Sequence, residues 1–227
     1  MPVSPHRVTA EAILADYNRI AADYDTRWAG FLAAVADGVQ ALLPADLAAQ
    51  PRVLELGCGT GAFLRLVREY RPEARLTGVD LCPAMLARAR TKLPTAQLQE
   101  ADLEKVSFPE ASFDLVLSLN VLHHLNDLEA HLRQLTHWCH PEGTILLCDF
   151  SRDSFLLRLA EFYWERFHPS HHRAYSHREL TRRIREHGGL TVRAEKILRP
   201  DRFWRLQLYQ LGSAGGAGSG AGFATDP

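Results

Sequence analysis

No run in the 227-residue sequence approaches the roughly 18 consecutive apolar residues of a membrane span. The opening stretch, MPVSPHRVTAEAILADYNRI, lacks the apolar core of a signal peptide. Cysteine is scarce: Cys58, Cys82, Cys139 and Cys148 are the only four, and none stands in C-x-x-C spacing. That leaves neither a disulfide framework nor a zinc site to argue for, and places the thiols as buried or loop residues of a protein in a reducing cytoplasm. Charge of one sign is missing too, with 26 Lys/Arg against 27 Asp/Glu, a formal net charge of −1 and a pI near 6.8. Such a balance gives no strong electrostatic hold on DNA or an acidic membrane, and a small-molecule substrate suits it better. No internal repeat is visible.

What is present reads as one alternating α/β unit. Apolar residues recur at helical intervals from Thr9 to about Leu43, on stripes through Ile13, Tyr17, Ile20 and Tyr24, then Phe31, Val35, Val39 and Leu42, with a break near Asp25. Residues 1–50 therefore form an N-terminal helical cap. RVLELG opens the main domain, 51–211, as a strand. After it LRLVREY reads as helix, RLTGVD as strand, AMLARARTKL as helix and AQLQEAD as strand. FDLVLSLN, DLEAHLRQLTHWC and GTILLCDF continue the pattern as strand, helix and strand. Such alternation predicts a parallel sheet covered on both faces, doubly wound by right-handed crossovers.

Beyond Ser151 the character changes. Thirteen Lys/Arg face seven Asp/Glu between Arg152 and Arg205, and FYWERFHPSHHRAY concentrates aromatics and histidines. We read 151–187 as a helical lid inserted after the fifth strand. ELTRRIREHGG is then a helix stopped by glycines, and LTVRAEKIL with RFWRLQLYQLG forms a terminal antiparallel pair. Residues 212–227 have the composition of a flexible Gly/Ala/Ser tail.

The chemistry concentrates in VLELGCGTG: a buried strand, an acid at Glu55, and Gly57, Gly59 and Gly61 opening a helix near Ala62. Glycines permit positive φ and close approach of a ligand to the main chain. A nicotinamide or flavin site also begins with such a turn. Here, however, the spacing is G-x-G-x-G rather than G-x-G-x-x-G, and the Glu55 carboxylate would repel a pyrophosphate while welcoming a cationic amino group.

E-x-G-x-G-x-G resembles motif I of the class I S-adenosylmethionine-dependent methyltransferases, and the resemblance extends over about Tyr17 to Leu211. It implies a Rossmann-like sheet of seven strands, mostly parallel, ordered 3-2-1-4-5-7-6 with the seventh antiparallel. It also implies S-adenosylmethionine as cofactor, held by Glu55, Gly57, Cys58, Gly59 and Gly61. Asp80 at the end of RLTGVD resembles the acid that takes both ribose hydroxyls, Leu81 and Met85 would flank the adenine, and Asp102 with the Leu103 amide would read its exocyclic amine. Taken alone, either aspartate is more commonly a cap or turn residue than a ligand contact. Asn120, after the fourth strand, would lie along the methionine part, and Tyr24 in YNRIAADYD resembles a segment that closes over the donor.

On the acceptor side His123 is a general base or a pocket wall, and His172 and Tyr175 are further catalytic candidates from the His-rich insertion. Next to them, His124 is expected to fix the start of the following helix. H-P-S-H-H is irregular and has no carboxylate beside it, so no metal is expected. The expected activity is methyl transfer to O, N or C of a small aromatic or apolar metabolite. The alternatives are a non-catalytic partner subunit and a protein or RNA methyltransferase. SLNV in place of an N-P-P-Y-type tetrad weighs against amino-methylation of DNA.

Overall fold

Strands at the centre of the sheet are apolar on both faces, and each alternation sends successive side chains into opposite cores. In the computed structural model, which describes residues 7–153, 170–171, 173–187, 189–201 and 203–214, β1 is Arg52–Leu56, β4 Phe113–Leu119 and β5 Cys139–Phe150. Leu54, Leu56, Val116, Ile145 and Leu147 enter one core; Val53, Leu115, Leu117, Leu146 and Cys148 enter the other. A strand buried on both sides reads as a continuous apolar run, and VLSL and TILLC do so.

With β2 (Arg75–Asp80), β3 (Gln97–Glu100), β6 (Leu190–Leu198) and β7 (Leu206–Ser213), the sheet has seven strands in the order β3-β2-β1-β4-β5-β7-β6. Only β7 runs against its neighbours, pairing antiparallel with both β5 and β6. The α/β doubly wound class and the strand order are as expected. β7 continues to Ser213, two residues beyond Leu211, because Gly212 and Ser213 still pair with β6.

Helices close the two faces. On the first lie α6 (Leu128–Trp138) and α7 (His177–His187), which contribute Leu132, Leu135, Leu180 and Ile184 to the core. On the second lie α3 (Ala29–Leu42), α4 (Ala62–Tyr70) and α5 (Pro83–Lys92); Val35 and Val39 of α3 are built into that core. The short α2 (Tyr24–Arg27) and α1 (Ala10–Ile20) precede them, so the expected break falls on either side of α2. Leu14, Tyr17, Ile20 and Tyr24 pack on Cys82 and Met85. Local signals set the ends. The Thr9 side chain accepts from the Ala12 amide, Asp127 from that of Ala130, and Pro83 occupies the first turn of α5. Of the expected lid, residues 154–169 and His172 lie outside the described residues, and with them the aromatics Phe162, Tyr163, Trp164 and Phe167. Among the described residues, no helix is long and apolar enough to cross a membrane.

One polar pair is sealed inside this packing: His131 of α6 meets the Ser118 hydroxyl of β4 at 2.9 Å. Burial pushes the imidazole down from 6.5 to about 4. An unfolded chain binds this proton below pH 6.5 while the folded one refuses it until about 4, so stability falls as the pH drops through that window. The loss attributable to His131 is about 3 kcal/mol. Urea unfolding from pH 7 to pH 4 should show this decline, and His131→Gln should flatten it.

Candidate active site

The glycine-rich turn joins β1 to α4 in a shape that side chains oppose. Gly57, Gly59 and Gly61 have φ of 69°, 51° and 77°, the left-handed region. At Gly57 a Cβ would also stand 2.5 Å from Val121 Cγ2. At Gly59 it would meet nothing within 4 Å, because that residue borders open space. The Asp80 carboxylate, at the end of β2, fastens the turn: it accepts from the Gly59 amide at 2.7 Å and from the Cys82 amide at 2.8 Å. Burial raises its pKa above the ordinary carboxylate value, and the two amide donors oppose the rise.

A cavity of about 340 Å³ lies over this turn, within the size range of small-ligand sites. Gly57, Cys58 and Gly59 form its floor, Asp80, Leu81 and Met85 one wall, Asp102 and Leu103 another, and Tyr24 and Asn120 stand toward the far side. Ten of the expected cofactor residues thus converge on one space. Asp102 also accepts from the Glu104 amide and pairs with Lys105. Asn120 sits at φ 59°, and its Oδ1 is buried with no protein partner among the described residues.

Two expected residues face elsewhere. The Glu55 side chain does not line the cavity; it turns beneath the loop, where Oε2 accepts from the Leu64 amide in the first turn of α4 at 3.1 Å. Burial, with Asp80 nearby, lifts its carboxyl well above the usual range, against the Leu64 bond. Gly61 caps α4 and packs toward α5, where a Cβ would come within 3.1 Å of Leu93 and 3.2 Å of Ala89. Its glycine serves helix approach rather than the cavity wall.

A second cavity, about 220 Å³, adjoins the first and shares Tyr17, Tyr24, Asn120 and His124 with it. Its walls are Trp28, Phe31, Phe150 and Trp204, whose ring centroids lie 5.0–6.5 Å apart, and His123 and His171 complete it. His123 is buried, and its Nδ1 donates to Asp149 Oδ1 at 2.8 Å. Tyr175 lines neither cavity. Its ring lies in the core beneath the guanidinium groups of Arg173 and Arg183, so the place expected for it on the acceptor side is corrected. His172 lies outside the described residues.

His124 does not start α6, a task that Asp127 performs. Its Nδ1 donates to the Ser170 carbonyl at 2.5 Å, which leaves Nε2 to accept from the Tyr17 hydroxyl at 2.8 Å. Burial and His123 hold this imidazole well below its ordinary value. Sequence reasoning also missed Asp25, which accepts from the Thr60 hydroxyl at 2.5 Å and from Lys92 at 2.6 Å, clasping α2 to the glycine turn. Its only signal was the helix break.

A glycine turn at the mouth of β1, an acid at the mouth of β2 and a cavity between them define a nucleoside-binding α/β protein. The chain belongs to the methyltransferase-domain family, whose model matches residues 26–195, and with this sheet and motif it is a class I S-adenosylmethionine-dependent member. It is 40% identical over 107 residues to a malonyl-[acyl-carrier protein] O-methyltransferase from Halorhodospira halophila, covering 45% of this chain and 36% of that protein. Over 119 residues it is 34% identical to the trans-aconitate 2-methyltransferase of Escherichia coli, covering 52% and 47%. The matched stretch spans less than half of either relative. Among solved structures, an S-adenosylmethionine-dependent methyltransferase from Thermotoga maritima superposes with a TM-score of 0.66 at 20% identity, over 86% of this chain and 97% of that one. The geranyl diphosphate C-methyltransferase of Streptomyces coelicolor, in complex with S-adenosyl-L-homocysteine, gives 0.66 at 12%, over 79% and 75%. At these identities the shared property is the fold.

Gly57 and Gly59 differ in surroundings but not in backbone strain, which separates two effects. Gly59→Ala should lower unfolding free energy by about 1 kcal/mol, and Gly57→Ala, which also meets Val121, by about 3 kcal/mol or more. Thermal unfolding of the two variants should rank them in that order.

Proposed function

We propose that the protein transfers a methyl group from S-adenosylmethionine to an O, N or C atom of a small aromatic or apolar metabolite. The observation that carries this reading is the adjacency of the two cavities. One is floored by the glycine turn, the other walled by four aromatic rings, and Tyr17, Tyr24, Asn120 and His124 belong to both.

The residues of the larger cavity suit the donor. Asp80 has spare lone pairs for the ribose hydroxyls beside its two amide contacts. Leu81 and Met85 offer apolar faces for the adenine, and Asp102 with the Leu103 amide would read its exocyclic amine. Asn120 Oδ1, buried and unpartnered among the described residues, suits a donor group of the methionine part. Gly59 leaves the volume that a side chain would fill. Glu55 supports the turn from below.

When bound, S-adenosylmethionine supplies an electrophilic methyl carbon on a sulfonium. The chain's contribution is to hold an acceptor in line with it and exclude water, and orientation of this kind is worth on the order of 7 to 11 kcal/mol in favourable cases. The acceptors named for the two relatives carry carboxylates, which are ordinarily recognised by Arg or Lys. The described residues of the smaller cavity include no Lys, Arg, Asp or Glu, and its rings favour an uncharged acceptor.

Saturation with S-adenosylhomocysteine at 100 times its dissociation constant should stabilise the protein by about 2.7 kcal/mol, read as a rise in melting temperature; no rise would count against the donor site. Asp80→Ala should weaken binding by calorimetry by about 10- to 100-fold. Methyl label appearing in metabolite extracts would favour this reading, and label appearing in protein or RNA would favour a macromolecular acceptor.

A further inference from the structure

We propose that His123 and Asp149 form a base dyad, and that the acceptor is a planar aromatic compound bearing a hydroxyl, methylated on that oxygen. This rests on the methyl-transfer reading above and adds to it the reacting group.

Asp149, the penultimate residue of β5, lies two strands away from the glycine turn of β1, and it is 2% exposed. Among the described residues, two of its three side-chain hydrogen bonds go to His123. Oδ1 accepts from His123 Nδ1 at 2.8 Å and from the Phe150 amide at 2.6 Å, and Oδ2 accepts from the His123 amide at 3.2 Å. A carboxylate only accepts, so Nδ1 carries its hydrogen and the neutral ring presents a lone pair at Nε2. Nε2 has no protein hydrogen bond among the described residues and is not among the buried unsatisfied atoms. It belongs to a side chain lining the aromatic cavity. The ring packs edge-on to Phe150, at 5.1 Å between centroids, which restrains its tilt.

A wall pocket for an apolar acceptor needs no such pairing. A buried carboxylate that fixes an imidazole tautomer beside a cavity is the arrangement of an oriented base. Among the described residues, the titratable groups around the imidazole are Asp149 on β5, His124 in its own turn and His171 from the segment before α7, with Tyr17 and Tyr24 on the cavity's N-terminal side. Burial and acidic neighbours raise the Tyr24 phenol to about 12 and Tyr17 well above its ordinary value, so neither competes as a base near neutrality.

In the reaction the acceptor's O–H proton passes to His123 Nε2. The oxygen lone pair forms a bond to the sulfonium methyl carbon as the carbon–sulfur bond breaks, its electron pair going to sulfur. The products are an aryl methyl ether and S-adenosylhomocysteine, and the imidazolium releases its proton to water. Asp149 is a positioning residue and His123 the catalytic one.

The test uses the full chain saturated with S-adenosylhomocysteine and 4-nitrophenol as probe, following phenolate absorbance against pH. Bound probe should ionise about one pH unit or more below free probe. His123→Ala and Asp149→Asn should abolish the shift while retaining the melting-temperature rise given by S-adenosylhomocysteine, which reports a folded donor site. With S-adenosylmethionine and a panel of phenols, both variants should lose about 100-fold or more in kcat with KM changed less than about threefold. An unshifted probe in a wild-type protein that S-adenosylhomocysteine stabilises would overturn the dyad alone, as would undiminished kcat in His123→Ala. So would methylation of trans-aconitate in preference to every phenol. No stabilisation by S-adenosylhomocysteine would overturn the donor reading and the dyad with it.

Discussion

The short hydrogen bond from the Gly59 amide to Asp80 ties the end of β1 to the end of β2, and the remaining geometry of the site follows from it. Three odd-numbered glycines, each at positive φ, make a turn that needs restraint from outside its own backbone. Asp80 supplies that restraint from the side and Glu55 from below, through the first turn of α4. Glu55 is buried and Asp80 half-buried, and desolvation raises the pKa of each against the amides it accepts from. Hydroxyl donors or positive charge brought to Asp80 would offset its desolvation, and a second anion there would add to it.

The parallel sheet decides where the cavities lie. Helices α4 and α6 leave β1 and β4 toward opposite faces, opening a crevice at the strands' carboxyl ends where the winding reverses. The larger cavity occupies that crevice. The His123–Asp149 pair sits one strand further on, across β4 and β5, a lateral step of about 4.8 Å. Asn120 bridges the step. Its left-handed backbone turns the chain out of β4, while its amide donates to the Cys148 carbonyl of β5 at 2.7 Å. One residue with an unusual dihedral thus presents a side chain to both cavities.

The sequence made legible whatever is encoded by neighbours in the chain. Glycine spacing and apolar runs bounded by Gly or Asp are local signals that yielded the alternation of strands and helices, while the family resemblance carried by the glycine motif implied the sheet order and the ten residues found in the larger cavity. Residues whose meaning lies in distant partners were not legible. Asp149 reads as the polar end of a strand, and only folding brings His123, 26 residues earlier, against it. Asp25 reads as a helix break until Lys92 and Thr60 close on it. The period of a strand gives the face of Glu55 but not whether that face looks up at a ligand or down at a helix amide. Tyr175 lies in a His- and aromatic-rich stretch, and composition alone does not reveal that two arginines cover its ring.

Joining the two cavities through shared side chains has an energetic consequence. Tyr17, on α1, donates to His124, which donates in turn to the Ser170 carbonyl, and the Ser170 hydroxyl reaches back to Asp16 at 2.5 Å. That ring of bonds ties the N-terminal helix, the turn after β4 and the segment before α7 into one unit around the passage between the cavities. Asp25 fastens the same N-terminal region to the glycine turn. A ligand in the larger cavity that orders α1 and α2 also orders the Tyr17 and Tyr24 walls of the smaller one. If the smaller cavity takes the acceptor, as proposed, part of the entropy of arranging it would already be lost when the acceptor arrives, which would give positive coupling between the two cavities without any change of fold.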